Sequence, residues 1–397
     1  MKVCMITTMT PTSENFRGTS ALPYHLMVER DESIEIEIYT FNNNDVSTEK
    51  MRRVEKELNV SIKAVPLPRW FACLFKLRLL FLRLFLKYPL HHYITLPRQY
   101  VDEITARRPD LIWVYGAEWS RVVRQFKGFS RIHTLPDSEA LYYYRMLGRR
   151  FVALDWKRFW RCALMYPKYL KLERDFSADS SIFYHLVGQE DANFLKKMNP
   201  GLRAHFLRHP HYEVYETDAS KRFHQRIRLL IAGQYNYYMK EAADELFEEL
   251  EKSGGQKIKE AYFLTFLGKG WEKHVEMMRK EGFEVEHIKF APDYIEEIRK
   301  HDIQITPISI GTGTKGKVLD ALANGLLVIG TPYAMENIAV THGESCIEYH
   351  HPREVMEVLL DIINHVQKYE QMARQGQLKT LKYHNRKTIS DSLFFHE

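Results

Sequence analysis

A chain of 397 residues with 45% hydrophobic and 27% charged residues carries apolar material for more than one core, so two globular domains are expected and disorder is not. Its 57 Lys and Arg against 51 Asp and Glu leave +6, which suits phosphates or anionic lipid and gives no reason to expect nucleic acid as a partner. Cys4, Cys73, Cys162 and Cys346 lie far apart without a CxxC pair, which argues against a disulfide framework or a structural zinc site.

The chain opens MKVCMITTM, where a strand-like run starts at the second residue and leaves no room for a signal peptide, so a protein of the cytosol is expected. Short β-branched runs predict strands at Val3–Thr7, Ile34–Phe41, Val60–Leu67, Leu111–Tyr115, Arg131–Leu135 and Ser181–Leu186. A second series follows at Arg228–Ala232, Phe263–Leu267, Val285–Phe290, Ile303–Pro307, Leu327–Gly330 and Cys346–Tyr349. Amphipathic segments such as Glu241–Glu251 alternate with them, the pattern of parallel sheets wrapped by helices. The Pro-, Gly- and His-rich stretch before Glu213 marks a boundary, giving domains 1–209 and 210–376, with 377–397 returning to pack on the first.

Arg69–Pro89, RWFACLFKLRLLFLRLFLKYP, is the most apolar stretch, yet its charges bar it from spanning a bilayer, which takes about 20 predominantly apolar residues. As one helix it sets Arg69, Lys76, Arg83 and Lys87 on one side, with Arg78 breaking the stripe. Two readings stay open: a helix lying in the headgroups of an anionic membrane, or one packed on the first sheet with its cations in water.

The stretch Ile305–Pro332, ITPISIGTGTKGKVLDALANGLLVIGTP, reads as strand, glycine-threonine loop, helix and strand. Gly311 and Gly313 let the backbone turn and approach a ligand, while Thr312 and Thr314 offer donors. A pyrophosphate set against the following helix N-terminus meets unpaired N–H groups, with Lys315 and Lys317 adding charge and Asp320 placed for ribose hydroxyls. The alternative is a plain turn with an exposed Lys317–Asp320 pair. The loop does not have the GxxxxGK[ST] pattern of a Walker loop.

GTGTKGKVLDALANGLLVIGTP resembles the glycine-threonine motif of the group 1, family-4-like glycosyltransferases. RPDLIWVYG, IHTLPDSEALYYYR, RLLIAGQYNYYMKEAADELF and THGESCIEY are similar to that family's landmarks, in order. The resemblance implies the GT-B fold, an α/β architecture of two Rossmann-like, doubly wound parallel-sheet domains facing a central cleft. It further implies transfer of a sugar from a nucleotide-sugar donor to an acceptor hydroxyl, with retention, in cell-surface polysaccharide or glycolipid assembly. No cofactor and no metal is expected; the chain has no Asp-x-Asp, and Lys315 and Lys317 would neutralise the leaving diphosphate instead. The acceptor would be a glycan or a lipid-linked glycan, met at the inner face of the cell membrane.

By the same resemblance His133 and Lys315 are the catalytic candidates. His133 matches a histidine that faces the donor sugar in relatives; the other reading is an imidazole satisfied inside the domain. Gly18 matches the glycine turn beneath the phosphates, and Gly233 and Lys240 follow the first strand of the donor domain. Together with Gly311, Thr312, Gly313, Thr314, Lys317 and Asp320 they make up the expected donor-binding set. Thr312 stands where many relatives have Glu, and Asp320 where they have a longer acid. A sugar-nucleotide epimerase and a non-catalytic donor-binding subunit are the competing readings.

Overall fold

The computed structural model describes residues 1–13, 18–148, 156–215 and 222–395. The chain divides into two compact units, Met1–Pro210 with Arg386–Glu397, and His211–Asn385. Among the described residues the first unit holds β1 (Lys2–Thr7), β2 (Glu35–Thr40), β3 (Ser61–Ala64), β4 (Leu111–Tyr115), β5 (Ser130–Thr134), β6 (Ile182–Leu186) and β7 (Ala204–Phe206). They form one parallel sheet in the order β3-β2-β1-β4-β5-β6-β7. Val3, Cys4, Met5 and Ile6 are all buried, so both faces of β1 are covered, as a parallel sheet with helices on both sides requires.

The second unit repeats the plan with β8 (Ile227–Ala232), β9 (Tyr262–Leu267), β10 (Glu284–Ile288), β11 (Ile303–Thr306), β12 (Leu327–Gly330) and β13 (Ile347–Glu348). Their order is β10-β9-β8-β11-β12-β13, again parallel throughout. The expected α/β class of two doubly wound parallel sheets is thus the one observed. In each sheet the chain runs outward one way and then the other, so the direction switches between β1 and β4 and between β8 and β11. Open α/β sheets bind ligands beyond the carboxyl ends of the strands at such a switch.

Three local expectations differ from the structure. The edge strand β7 is not foreseen because its three residues, Ala204, His205 and Phe206, are too few to establish a period. The single helix expected over 69–89 stops at Lys76: Arg78 takes a left-handed φ of 55°, and Leu80–Phe85 continues as a 3-10 helix. The basic stripe drawn on one continuous helix therefore does not exist as such. Thirdly, the return expected from residue 377 comes at Arg386. Gly376 lies so close to Ser345 that an added Cβ would sit 2.5 Å from its carbonyl oxygen, and the Gln377 side chain donates to the Ala323 carbonyl at 3.0 Å, which keeps this stretch in the second unit. The last helix, Arg386–Phe395, joins the first core through Ile389, Leu393 and Phe394, whose ring meets Trp113 edge-on at 5.3 Å.

Candidate functional site

In the second unit β8 and β11 lie side by side at the switch, and each ends in a glycine-bearing loop. Gly233 follows β8 with φ +126°, and its carbonyl accepts from the Trp271 indole at 2.7 Å. A Cβ there would lie 3.4 Å from the Met239 sulfur and 3.8 Å from Lys317 Cδ, so the first loop meets the start of the helix that follows the second. Gly313 has φ +62°, a left-handed conformation that a side chain makes costly. Ser309 ties both loops to the next helix: its N–H donates to Tyr238 O at 2.7 Å and its hydroxyl accepts from Ala242 N at 2.9 Å.

The helix Gly316–Ala323 starts at this loop, with Lys315 in the capping position and no side-chain oxygen capping the end. Its first N–H groups consequently point at the loop with the positive end of the helix dipole behind them. Lys315 folds back over the loop, its Nζ donating to the carbonyls of Thr312 at 2.8 Å and Gly313 at 2.9 Å. The Glu336 carboxylate lies 3.9 Å from that Nζ. Lys317 rests its ammonium on the Tyr294 ring, 3.8 Å from the centroid, and burial pulls its pKa down while the nearby Asp320 carboxylate pushes it up. Burial, with the Asp320 charge adding to it, raises the phenols of Tyr212 and Tyr294.

Asp320 itself is fully buried one turn into the helix, so a ribose reaches it only if Lys317 or a neighbouring tyrosine gives way. Thr312 and Thr314 are half-buried in the loop, and Gly311 is buried beneath Lys315, whose Cε would lie 3.1 Å from an added Cβ. Lys240 stands apart from these: it opens the helix Lys240–Ser253, 60% exposed, and its Nζ donates to Asp244 at 2.5 Å. Asp244 also accepts from Tyr235 at 2.7 Å and lies 2.9 Å from His274, so Lys240 belongs to a surface network rather than to the loop. Gly233, Gly311, Thr312, Gly313, Thr314, Lys315, Lys317 and Asp320 are thus gathered, and Lys240 is not.

Gly18 and His133 are in the first unit. Gly18 opens the helix Gly18–Met27, which follows β1, and an added Cβ would meet nothing within 4 Å. His133 is an interior residue of the first unit. It lies on β5, fully buried between Phe176 and Tyr184, with Nε2 2.8 Å from the Gly116 carbonyl oxygen. Burial holds it neutral, its pKa lowered to about 4. Only Nε2 is paired; Nδ1 is buried without a hydrogen-bond partner, so the interior histidine is only half satisfied. Glu118, in the loop after β4, accepts from Tyr169 and pairs with His91 at 2.8 Å.

Residues that sequence reasoning passes over complete the loop's surroundings. The Asn337 amide donates to Gly313 O at 3.1 Å beside Glu336, and the Asn324 amide joins Asp320 O to Glu213 O at 2.9 and 3.0 Å. A signal for the first pair exists: Thr331-Pro332 is a cap followed by proline at the first helical position, and Thr331 also donates to Ile308 O at 2.6 Å, turning Glu336 and Asn337 toward the loop. Among the described residues no group of three or more His, Cys, Asp or Glu is placed to hold a metal ion.

Residues 221–365 match the family model described as "Glycosyl transferases group 1". Among solved structures, Anabaena HepE in complex with UDP aligns over 100% of this chain and 99% of its own, at 11% identity and a TM-score of 0.61. WaaG, a glycosyltransferase involved in lipopolysaccharide biosynthesis, aligns over 99% of this chain and 100% of its own at 13% identity and a TM-score of 0.61. For a sucrose-phosphate synthase from Thermosynechococcus elongatus the figures are 98%, 96%, 11% and 0.61. These likenesses establish the two-sheet fold. No curated protein matches the chain.

Proposed function

We propose that this chain, a glycosyltransferase of the GT-B fold with a group 1 domain over residues 221–365, moves a sugar from a nucleotide-sugar donor to an acceptor hydroxyl with retention at the anomeric carbon. One observation carries the reading: the Gly233 loop and the Gly311–Lys315 loop leave neighbouring strands at the switch point, beside an uncapped helix end and two lysines. Such a place binds a diphosphate. In this reading Lys315 leaves its loop carbonyls for the phosphates, and Lys317 lifts from Tyr294 toward the same charge, which opens Asp320 to the ribose. In the transfer the bond from anomeric carbon to phosphate oxygen breaks while the acceptor oxygen bonds to that carbon. Retention brings the acceptor in on the face the diphosphate leaves, so its proton passes to the departing phosphate oxygen, whose growing charge the two lysines stabilise. His133, the other catalytic candidate, would reach the donor sugar only after its surroundings open, since its side chain is fully buried.

The acceptor in this proposal is a lipid-linked glycan of cell-surface polysaccharide or glycolipid assembly, met at the inner face of the cell membrane, which residues 69–89 contact. Among the described residues no helix is long and apolar enough to cross a membrane. HepE structures hold UDP and UDP-glucose, which puts uridine donors first in a screen. UDP-, GDP-, ADP- and dTDP-sugars are compared by thermal shift, since a ligand of the native state raises apparent stability. One of them should raise the midpoint, and nucleoside diphosphate should be released only with acceptor present. Release of nucleotide without acceptor, or an interconverted donor, would overturn the transfer reading in favour of a hydrolase or an epimerase.

A further inference from the structure

Two segments of the first unit share an unusual composition: from Arg69 to Tyr93, and again from Trp156 to Leu172, the chain contains no Asp or Glu. The first carries Lys76, Arg78, Arg83 and Lys87 among Leu and Phe; the second carries Lys157, Arg158 and Arg161 among Trp and Phe. Lys168 fastens one to the other. Its buried Nζ donates to the carbonyls of Arg83 and Leu84 at 3.0 Å each and to that of Leu86, answering carbonyls at the end of the 3-10 helix Leu80–Phe85.

Stepping back from Lys168 by four residues along the helix Trp156–Arg174 gives Leu164, Trp160 and Trp156, which a helix stacks along one flank. These side chains are 43%, 47% and 60% exposed, rising away from the anchor. Across it, Phe81 is 55% and Phe85 82% exposed. Beside them Trp70, Leu74, Leu79, Leu82 and Leu86 line a groove of about 360 Å³, with Arg83 as its charge. Large apolar side chains exposed together mark a surface that something covers. Tryptophans at the rim, cations throughout and the absence of acids fit an anionic lipid surface, where indoles sit at headgroup level and cations meet lipid phosphates.

We infer that the two segments form one docking face for an anionic bilayer leaflet, in which Trp156, Trp160 and Leu164 are a second anchor beside Leu80–Phe85 and the groove receives a lipid hydrocarbon chain. The inference rests on the membrane reading of residues 69–89 and extends it to the separate helix Trp156–Arg174, which no feature of the first segment implies. Wild type, the variant Trp156→Gln/Trp160→Gln/Leu164→Gln and the variant Lys76→Gln/Arg83→Gln/Lys87→Gln are sedimented with phosphatidylcholine vesicles, with and without phosphatidylglycerol. Wild type should pellet with the anionic vesicles, and lipids brominated on their acyl chains should quench its tryptophan fluorescence. The first variant should bind about tenfold more weakly or worse, with most of the quenching gone, and its exposed positions leave urea unfolding unchanged. Equal binding and quenching by that variant, while the lysine and arginine variant loses binding, overturns the second anchor and leaves the first segment's role standing. Wild type absent from anionic vesicles overturns both.

Discussion

Replacing Lys315 by Ala removes the ammonium that donates to Thr312 and Gly313 at 2.8 and 2.9 Å and faces Glu336 at 3.9 Å, from a side chain 15% exposed. Hydrogen bonds from charged donors contribute about 1.5–3 kcal/mol. Here water enters the loop and solvates the two carbonyls, and the ion pair is long, so folding stability should fall by only about 1–2 kcal/mol. Turnover should suffer far more. If the same ammonium meets the leaving diphosphate, its removal takes away one donor at a developing charge, a loss of about 10²–10³ in kcat. The assay is acceptor-dependent release of nucleoside diphosphate across a range of donor concentrations, beside urea unfolding of the same preparation. Lys315→Arg should rescue poorly, because the side chain runs close over Gly311, where an added Cβ would lie 3.1 Å from Cε, and a guanidinium is wider than an ammonium. Undiminished kcat/KM in a folded Lys315→Ala protein would falsify the phosphate role and leave Lys315 a loop fastener.

Asp320→Asn should raise the donor KM with kcat little changed, because a ribose contact is present before and during reaction alike; loss of kcat at constant KM would point elsewhere. Gly313→Ala should lower stability by about 1–2 kcal/mol, as φ +62° forces a side chain into the left-handed region, and an unchanged urea midpoint would count against that backbone. His133, with its folded pKa lowered to about 4 from 6.5, should cost the native state stability as pH falls through that window, since the unfolded chain binds a proton that the folded one refuses. His133→Gln should therefore gain on the wild type by about 1.4 kcal/mol per pH unit between those values, and parallel stability curves would show the imidazole to be solvated.

What the sequence makes legible here is what its local chemistry determines. Alternating apolar runs and amphipathic segments predict two parallel sheets, and strands such as Leu111–Tyr115 and Leu327–Gly330 fall at the residues expected. The left-handed turn at Gly313 is likewise written in a glycine between threonines. Arg78 shows the opposite case: its left-handed φ ends a helix that the seven-residue spacing of Arg69, Lys76 and Arg83 would carry on, since residue type does not announce that conformation for arginine. Glu336 and Tyr294 reach the loop from separate elements, and their approach depends on tertiary packing that no spacing records.

The burial of His133 is missed for a reason particular to parallel sheets. In a half-exposed strand, period-two alternation tells which side chains meet water, but Arg131, Ile132, His133 and Thr134 are all buried, so alternation along β5 carries no such information. What decides is the strand's place in the sheet, and the order β1-β4-β5 sets β5 one strand beyond the switch. At the switch of the first unit the turn after β4 leads to Glu118, and Gly18 starts the helix that follows β1. Strand order thus points to Gly18 and Glu118 beside the histidine, by the same rule that singles out Gly233 and Gly311–Lys315 in the second unit.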